Sequence, residues 1–344
     1  MELQSLQKVD VHPLHGAAPA DVRVELEAPR NRLAAMLVTL YSEAIFPYTL
    51  NVGMSLKRRV FILFQPATVV LIVVLWAAIP GPWLKNPWLP TATSIVTLLM
   101  VQILEFVNER HPGWRLSTRE ILTDLFYLIL YYSVIEKLET KLVEDPIGSA
   151  KSALGITTAW AMHLPFVIQV ALTLFVFEFG QYWLHRLMHN SFLWWTHAPH
   201  HHITQLNALK GLVGNPLELL LVSIGVTAFF DLPLNATFCA FNILVAVSSF
   251  AHANVRFDPP RWYAYIFTTI ETHSLHHRVG FKETRCNYAN VLILLDHLFG
   301  TYRQGEAEVV GQDDRKRLKI SEQFMFPFRP LMARIKGGSA SMPG

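Results

Sequence analysis

Apolar residues fall along this chain in long unbroken runs, not at alternate positions. The run 60–79 has the ~20 residues that a bilayer core requires. Lys57-Arg58-Arg59 precede it, Pro80-Gly81-Pro82 end it, and Trp83 and Trp88 stand where interfacial aromatics are expected. A second run covers 91–107 and stops at Asn108-Glu109-Arg110; a third covers 121–135 and a fourth 158–179. A further apolar pair, 217–230 and 234–250, is split by Asp231-Leu232-Pro233. Its first arm would reach only ~21 Å as a helix against a core of ~30 Å, so the pair predicts a membrane-embedded hairpin that enters and leaves on one side. The pattern therefore predicts an all-α, polytopic membrane protein: about four transmembrane helices, the hairpin, and a helical region between and after them. Residues 1–32 read as a mobile polar leader, 33–50 as interfacial, 33–302 as one embedded unit, and 303–344 as a polar, soluble tail.

Composition agrees. Hydrophobic residues make up 52% of the 344 and charged residues 16%, against about 25% charged in soluble chains. A formal net charge of +3, thinly spread, leaves no basic footprint for nucleic acid. Two cysteines, Cys239 and Cys286, cannot build a disulfide framework or a thiolate zinc module. The first residues lack the basic start, apolar stretch and small-residue site of a cleaved signal, so the first apolar helices are expected to direct insertion. Cations cluster before the first run and again at Arg110, Arg115 and Arg119, with Lys85 alone between them. By the positive-inside rule both termini, the 108–120 loop and the region beyond residue 181 are expected on the cytoplasmic side.

Histidine carries the chemistry. Eleven of the fifteen lie in the 113 residues from His185 to His297, where proportional scatter gives about five. They form His185-Arg-Leu-Met-His189, His197-Ala-Pro-His200-His201-His202, the single His252, and His273-Ser-Leu-His276-His277. Helical positions i, i+3 and i+4 share a face, so these groups present two, three, one and three imidazoles. At ~100° per residue, His197, His200 and His201 span about 100°, whereas His202 falls near 140° and outside the set. Nine imidazoles exceed what one ion accepts and imply two metals with four or five each. Imidazole suits zinc, copper, iron and nickel, and a site against membrane helices, where oxygen and lipid chains partition, favours iron. Glu178, two turns before His185, reads either as a carboxylate that orients a ligand imidazole through its second N–H or as an interfacial acid. His111 and His163 carry no such pattern.

The order HxxxH, HxxHH, H, HxxHH resembles the sterol desaturase/fatty acid hydroxylase superfamily of membrane di-iron oxygenases. Tyr182-Trp183-Leu184-His185-Arg186, Asn287-Tyr288 and the closing Asp296-His297-Leu298-Phe299-Gly300-Thr301-Tyr302 are similar to its signatures, and the likeness covers roughly residues 165–302. The resemblance implies two non-haem irons held by His185, His189, His197, His200, His201, His252, His273, His276 and His277, with O₂ as co-substrate. It also implies hydroxylation or desaturation of an unactivated C–H position of a sterol, sphingolipid or fatty acyl chain. The polar ends leave no room for a fused haem domain, so the electron donor is expected on another chain: a reductase, cytochrome b5-like or ferredoxin-like protein. Asn215-Pro216-Leu217-Glu218 stands where family members often show His-Pro-x-Glu, and His297 where they often show Arg. Both departures lie outside the boxes and bear on substrate, not metal. A three-box acyl desaturase would lack the 296–302 signature. A metal transporter, or a histidine-rich metal-binding protein, is the alternative from another class; transport histidines belong near mid-span, whereas these flank apolar runs.

Overall fold

The computed structural model describes residues 54–190, 192–222 and 230–337. The leader 1–32, the interfacial stretch 33–50, most of the second half of the first hairpin arm and the last seven residues lie outside them. Among the described residues there are helices and no β-strand. The elements that position the site are α1 (Leu56–Ala78), α2 (Leu89–Val107), α3 (Thr118–Leu130), α4 (Phe166–Met188), α5 (Trp194–His201), α6 (Pro216–Val222), α7 (Leu234–His252), α8 (Arg261–Ile266), α9 (Ile270–His276), α10 (Leu294–Phe299), α11 (Ile320–Met325) and α12 (Arg329–Ile335).

Four of the described helices, α1, α2, α4 and α7, are long and apolar enough to cross a membrane. The number agrees with the sequence pattern, but the membership differs. The stretch 121–135 belongs to a longer helical run that continues without a break from Thr118 to Ala153 through π-helical turns at Tyr131–Ile135 and Thr140–Glu144. The expected span 158–179 begins later and ends later, as α4. Pro165 at its N-cap sets the start, after a 3₁₀ turn at Ala159–His163, and the helix runs on through the first histidine box. The second arm of the hairpin, α7, is itself a full-length span.

Contacts between segments order the bundle. Lys57 Nζ donates to the Val107 carbonyl (3.0 Å), which sets the start of α1 beside the end of α2. Lys151 Nζ meets Asp231 Oδ1 (2.5 Å), and Asp231 Oδ2 accepts from Thr158 N (2.7 Å), which gathers the opposite ends of the α3 run, α4 and α7. The α3 run, α4 and α7 thus each connect the two ends of the bundle. The start of α1, the 108–117 loop, every histidine group and residues 303–337 all lie at one end.

α7 is the hub, packed on α1, α2, α4 and α9. Ala236, Cys239, Ala240, Ala246 and Ala251 are fully buried in it, and such small residues let neighbouring backbones approach closely. Polar glue crosses the same layer: Trp76 Nε1 donates to Asn242 Oδ1 (2.8 Å), and Asn242 Nδ2 donates to Ser94 Oγ (2.8 Å). The outer faces of α1, α2 and α4 expose Val70, Leu71, Val96, Ile103, Val167 and Ile168. A surface of that kind requires lipid around it.

Two charge networks tie the histidine end together. Arg110 reaches Asp258 (2.8 Å), Glu271 (2.9 Å) and Glu306 (2.5 Å), three segments otherwise far apart in sequence. Buried Lys210 is held between Glu120 and Asp124, while Arg317 takes the other oxygen of Glu120 (2.6 Å) and Asn207 donates to Asp124 (2.8 Å). Two cations meet two carboxylates, and removing one partner of such a buried set strands a charge at a cost of about 3–5 kcal/mol. Lys210→Met should therefore lower the unfolding temperature in detergent sharply; a wild-type melting curve would show that the network contributes nothing to stability.

Candidate metal centre

The nine histidines singled out by spacing converge from four helices. α4 carries His185 in its last turn and is capped by His189; α5 carries His197, His200 and His201; α7 ends with His252; α9 carries His273 and His276 and is capped by His277. Their nitrogens fall into two groups, each within 4.8 Å: His185, His189, His197, His201 and His276 in one, His200, His252, His273 and His277 in the other. The groups are contiguous, since the His201 and His277 rings stack 4.5 Å apart. Only His185 is not fully enclosed. His202 belongs to neither group: its Nδ1 donates to the Ala198 carbonyl and its ring lies against Phe326.

The hydrogen bonds fix which nitrogen faces inward. A carbonyl can only accept, so Nδ1 carries the proton in His185 (to Tyr288 O, 2.6 Å), His200 (to Val213 O, 2.8 Å), His252 (to Ser248 O, 2.8 Å) and His276 (to Cys286 O, 2.8 Å). His197 Nδ1 faces the Glu218 carboxylate at 2.5 Å. His189 Nδ1 meets Thr284 Oγ1 (3.2 Å), whose own proton goes to Phe281 O. Six of the nine imidazoles therefore turn a bare Nε2 lone pair toward the others. His185 Nε2 and His197 Nε2 stand 2.9 Å apart, and His189 Nε2 and His197 Nε2 3.1 Å apart, while His276 Nε2 is buried with no partner. Lone pairs facing each other at that distance repel, and a cation among them removes the repulsion. The donor set fits a metal of the imidazole-binding class. Burial also pushes the imidazoles of His189, His201, His276 and His277 well below the usual range, and that of His197 to about 3. They remain neutral, as metal ligands must be.

The surrounding shell was only partly visible in the sequence. Glu178 does not face an imidazole. Seven residues before His185 is the same helix face but ~10 Å along the axis, too far for contact. Its carboxylate instead accepts from the backbone N–H groups of Val291 (2.8 Å) and Leu292 (3.0 Å). The expected orienting role toward a histidine falls to Glu218. It lies in the Asn215-Pro216-Leu217-Glu218 stretch, which was expected to bear on substrate and not on metal but which packs against the imidazole cluster. Gly214 makes room for it: a Cβ there would meet Glu218 Oε2 at 2.5 Å. A Cβ at Gly211 would press first on Ser248 Oγ, at 3.1 Å, with the His252 ring next at 3.4 Å.

The 284–288 loop supplies three of the outward acceptors: Thr284 Oγ1, Cys286 O and Tyr288 O. Asp296 holds it by accepting from Tyr288 N and Ala289 N (both 2.8 Å) and from Thr301 Oγ1 (2.6 Å). Asn287 sits at φ 50°, a left-handed conformation that Asn tolerates. Its side chain donates to Thr272 O and Arg303 O (both 2.9 Å). The 296–302 signature is thus the buttress of the loop that orients two boxes.

Residues 170–301 match the fatty acid hydroxylase family. The chain is 28% identical over 216 residues to an ornithine lipid hydroxylase of Rhizobium tropici, covering 60% of this chain and 64% of that protein. It is 30% identical over 193 residues to a Δ7-sterol-C5(6)-desaturase of Nicotiana tabacum, covering 54% and 65% respectively. It is also 30% identical over 154 residues to a very-long-chain aldehyde decarbonylase of Oryza sativa subsp. indica, covering 42% and 57%. The matched region spans less than two thirds of each of these relatives. No solved structure matches the chain.

Outer partners of this kind typically change metal affinity 10–100-fold. Glu218→Gln and Gly214→Ala should both reduce the metal retained by purified protein, whereas Glu178→Gln should retain it and only lower thermal stability. Equal metal loss in all three, measured by elemental analysis, would contradict the separation of these roles.

Proposed function

Since this chain belongs to the sterol desaturase/fatty acid hydroxylase superfamily, we propose that it is a membrane-bound, non-haem di-iron oxygenase acting on an unactivated C–H position of a lipid. The observation that carries the reading is the double cluster of buried imidazoles, five and four, with lone pairs turned inward. His185, His189, His197, His201 and His276 would hold one iron, and His200, His252, His273 and His277 the other. Bound iron would supply activation of O₂, which an alkyl C–H needs because it offers no acidic proton to a general base.

The chain's own residues do the positioning. Glu218, Thr284 and the carbonyls of Val213, Ser248, Cys286 and Tyr288 take the Nδ1 protons and so fix six ring orientations. The end of α4 brings a lipid-facing helix directly to the boxes, the end of α7 brings the buried central one, and the enclosing residues exclude water. Substrate is a lipid: sterol, sphingolipid or fatty acyl chain. Electrons come from a separate donor, cytochrome b5-like or ferredoxin-like. The basic residues 57–59 and Arg110, Arg115 and Arg119 support a cytoplasmic side for the histidine end of the bundle and for both termini, by the positive-inside rule. Transport is disfavoured because the histidines gather at one end of the bundle instead of at mid-span.

Purified protein grown with ample iron should contain two irons per chain. His201→Ala should lose iron and activity, while His202→Ala should keep iron. One ion per chain, or equal loss in both variants, would sink the two-site assignment. Lipid mass spectrometry of cells with and without the intact gene should show a species that gains one oxygen atom or loses two hydrogens; an unchanged lipid profile would count against lipid oxidation.

A further inference from the structure

Beyond the last histidine group, α11, the 3₁₀ turn Phe326–Phe328 and α12 form one helical run from Ile320 to Ile335. Its inner face is anchored. Tyr127 Oη donates to Gln323 Oε1 (2.6 Å), Asn215 Nδ2 donates to Gln323 O (2.6 Å), and Phe326 is buried against Trp195 and His202. Its outer face is not covered. Met325, Phe328, Leu331 and Ile335 are all exposed, Ile335 by 76%, and they recur every three to four residues. Arg329, Arg334 and Lys336 accompany them, and residues 323–337 contain no carboxylate.

That combination is the pattern of a helix lying in a membrane surface: an apolar face, cationic flanks, and no acid except Glu322 at its start, which is paired with Lys316. The neighbouring element supplies the membrane. Phe324 packs against Phe126 and Tyr127 of α3, and Arg317 donates to Thr123 Oγ1 of the same helix (3.1 Å). There α3 turns Leu122 and Ile129 outward, each more than 60% exposed. The run therefore adjoins a helix that also exposes apolar side chains. A composition-based reading as a soluble tail overlooks this, because the apolar residues are few but share a face.

We propose that residues 320–335 rest in the interface of the leaflet at the histidine end, with Met325, Phe328, Leu331 and Ile335 about 5–10 Å into the headgroup and acyl boundary. Arg334 and Lys336 contact anionic lipid headgroups. Through Phe326 the run ties that surface to α5, the helix that carries His197, His200 and His201. This proposal stands independently of which metal the boxes hold.

Both native cysteines are buried, so an environment-sensitive fluorophore on Leu331→Cys or Ile335→Cys reports one position in the full-length protein. In phosphatidylcholine vesicles containing phosphatidylglycerol, emission should shift to the blue and be quenched by acyl-brominated lipid, not by aqueous iodide. The same label on the exposed Lys282→Cys should behave oppositely. Removing phosphatidylglycerol, or combining Arg334→Gln with Lys336→Gln, should shift the 331 label back toward the red. Iodide quenching at 331 and 335 would overturn the proposal. Protection from both quenchers would also overturn it, because the face would then be covered by protein, a second copy included. Emission indifferent to phosphatidylglycerol would refute the contact with anionic headgroups.

Discussion

Much of this fold answers to one constraint: nine imidazoles are buried together, six of them with a bare Nε2 turned toward the others. Left to itself, such an arrangement is repulsive, and burial removes the water that would otherwise satisfy each nitrogen. The structure resolves half of the problem by giving six of the nine a committed acceptor at Nδ1, which fixes both tautomer and ring plane. A bound cation would answer the other half, and the inward-facing Nε2 atoms fit one.

Supplying those acceptors explains much of the chain that bears no histidine. Loop 284–288 is pressed against two boxes by Asp296 and Asn287, residues that never touch a ring. Gly214 has no side chain because the volume beside it is taken by Glu218. Glu178, at first sight a ligand's partner, steadies the 291–292 turn that leads into the same buttress. The outward-facing groups are therefore as much a part of the centre as the imidazoles, since ring orientation is set by the hydrogen bond on the far nitrogen.

The bilayer supplies the second condition. α4 and α7 run in the same direction and deliver histidines at their final turns, so the centre sits where apolar spans meet the polar end of the bundle. Spans packed through small residues and a Trp76–Asn242–Ser94 chain hold that end steady from below. The Arg110 and Lys210 networks hold it from above. A lipid-facing exterior and an ionic, fully enclosed polar end are thus joined across a single helix layer.

Much of this was legible in the residues alone. Helical class, membrane embedding and the nine-member histidine set follow from run length and from i, i+3, i+4 spacing, because both are local consequences of helical geometry. His202 could be set aside by angle alone for the same reason. What spacing could not give was anything that depends on how helices cross. The division into five and four mixes members of α4, α5 and α9 in one group, and of α5, α7 and α9 in the other, so no single box predicts it. Glu218 rather than Glu178 meets a ligand ring because contact depends on height along an axis as well as on face. The stretch 121–135 looked like a span, yet it is half of a longer run, and α7, read as a hairpin arm, became the central helix. Composition averages over a segment, so it hid the apolar face of 320–335. Local periodicity selected the residues that could act; tertiary packing, through distances between elements remote in sequence, decided which of them meet.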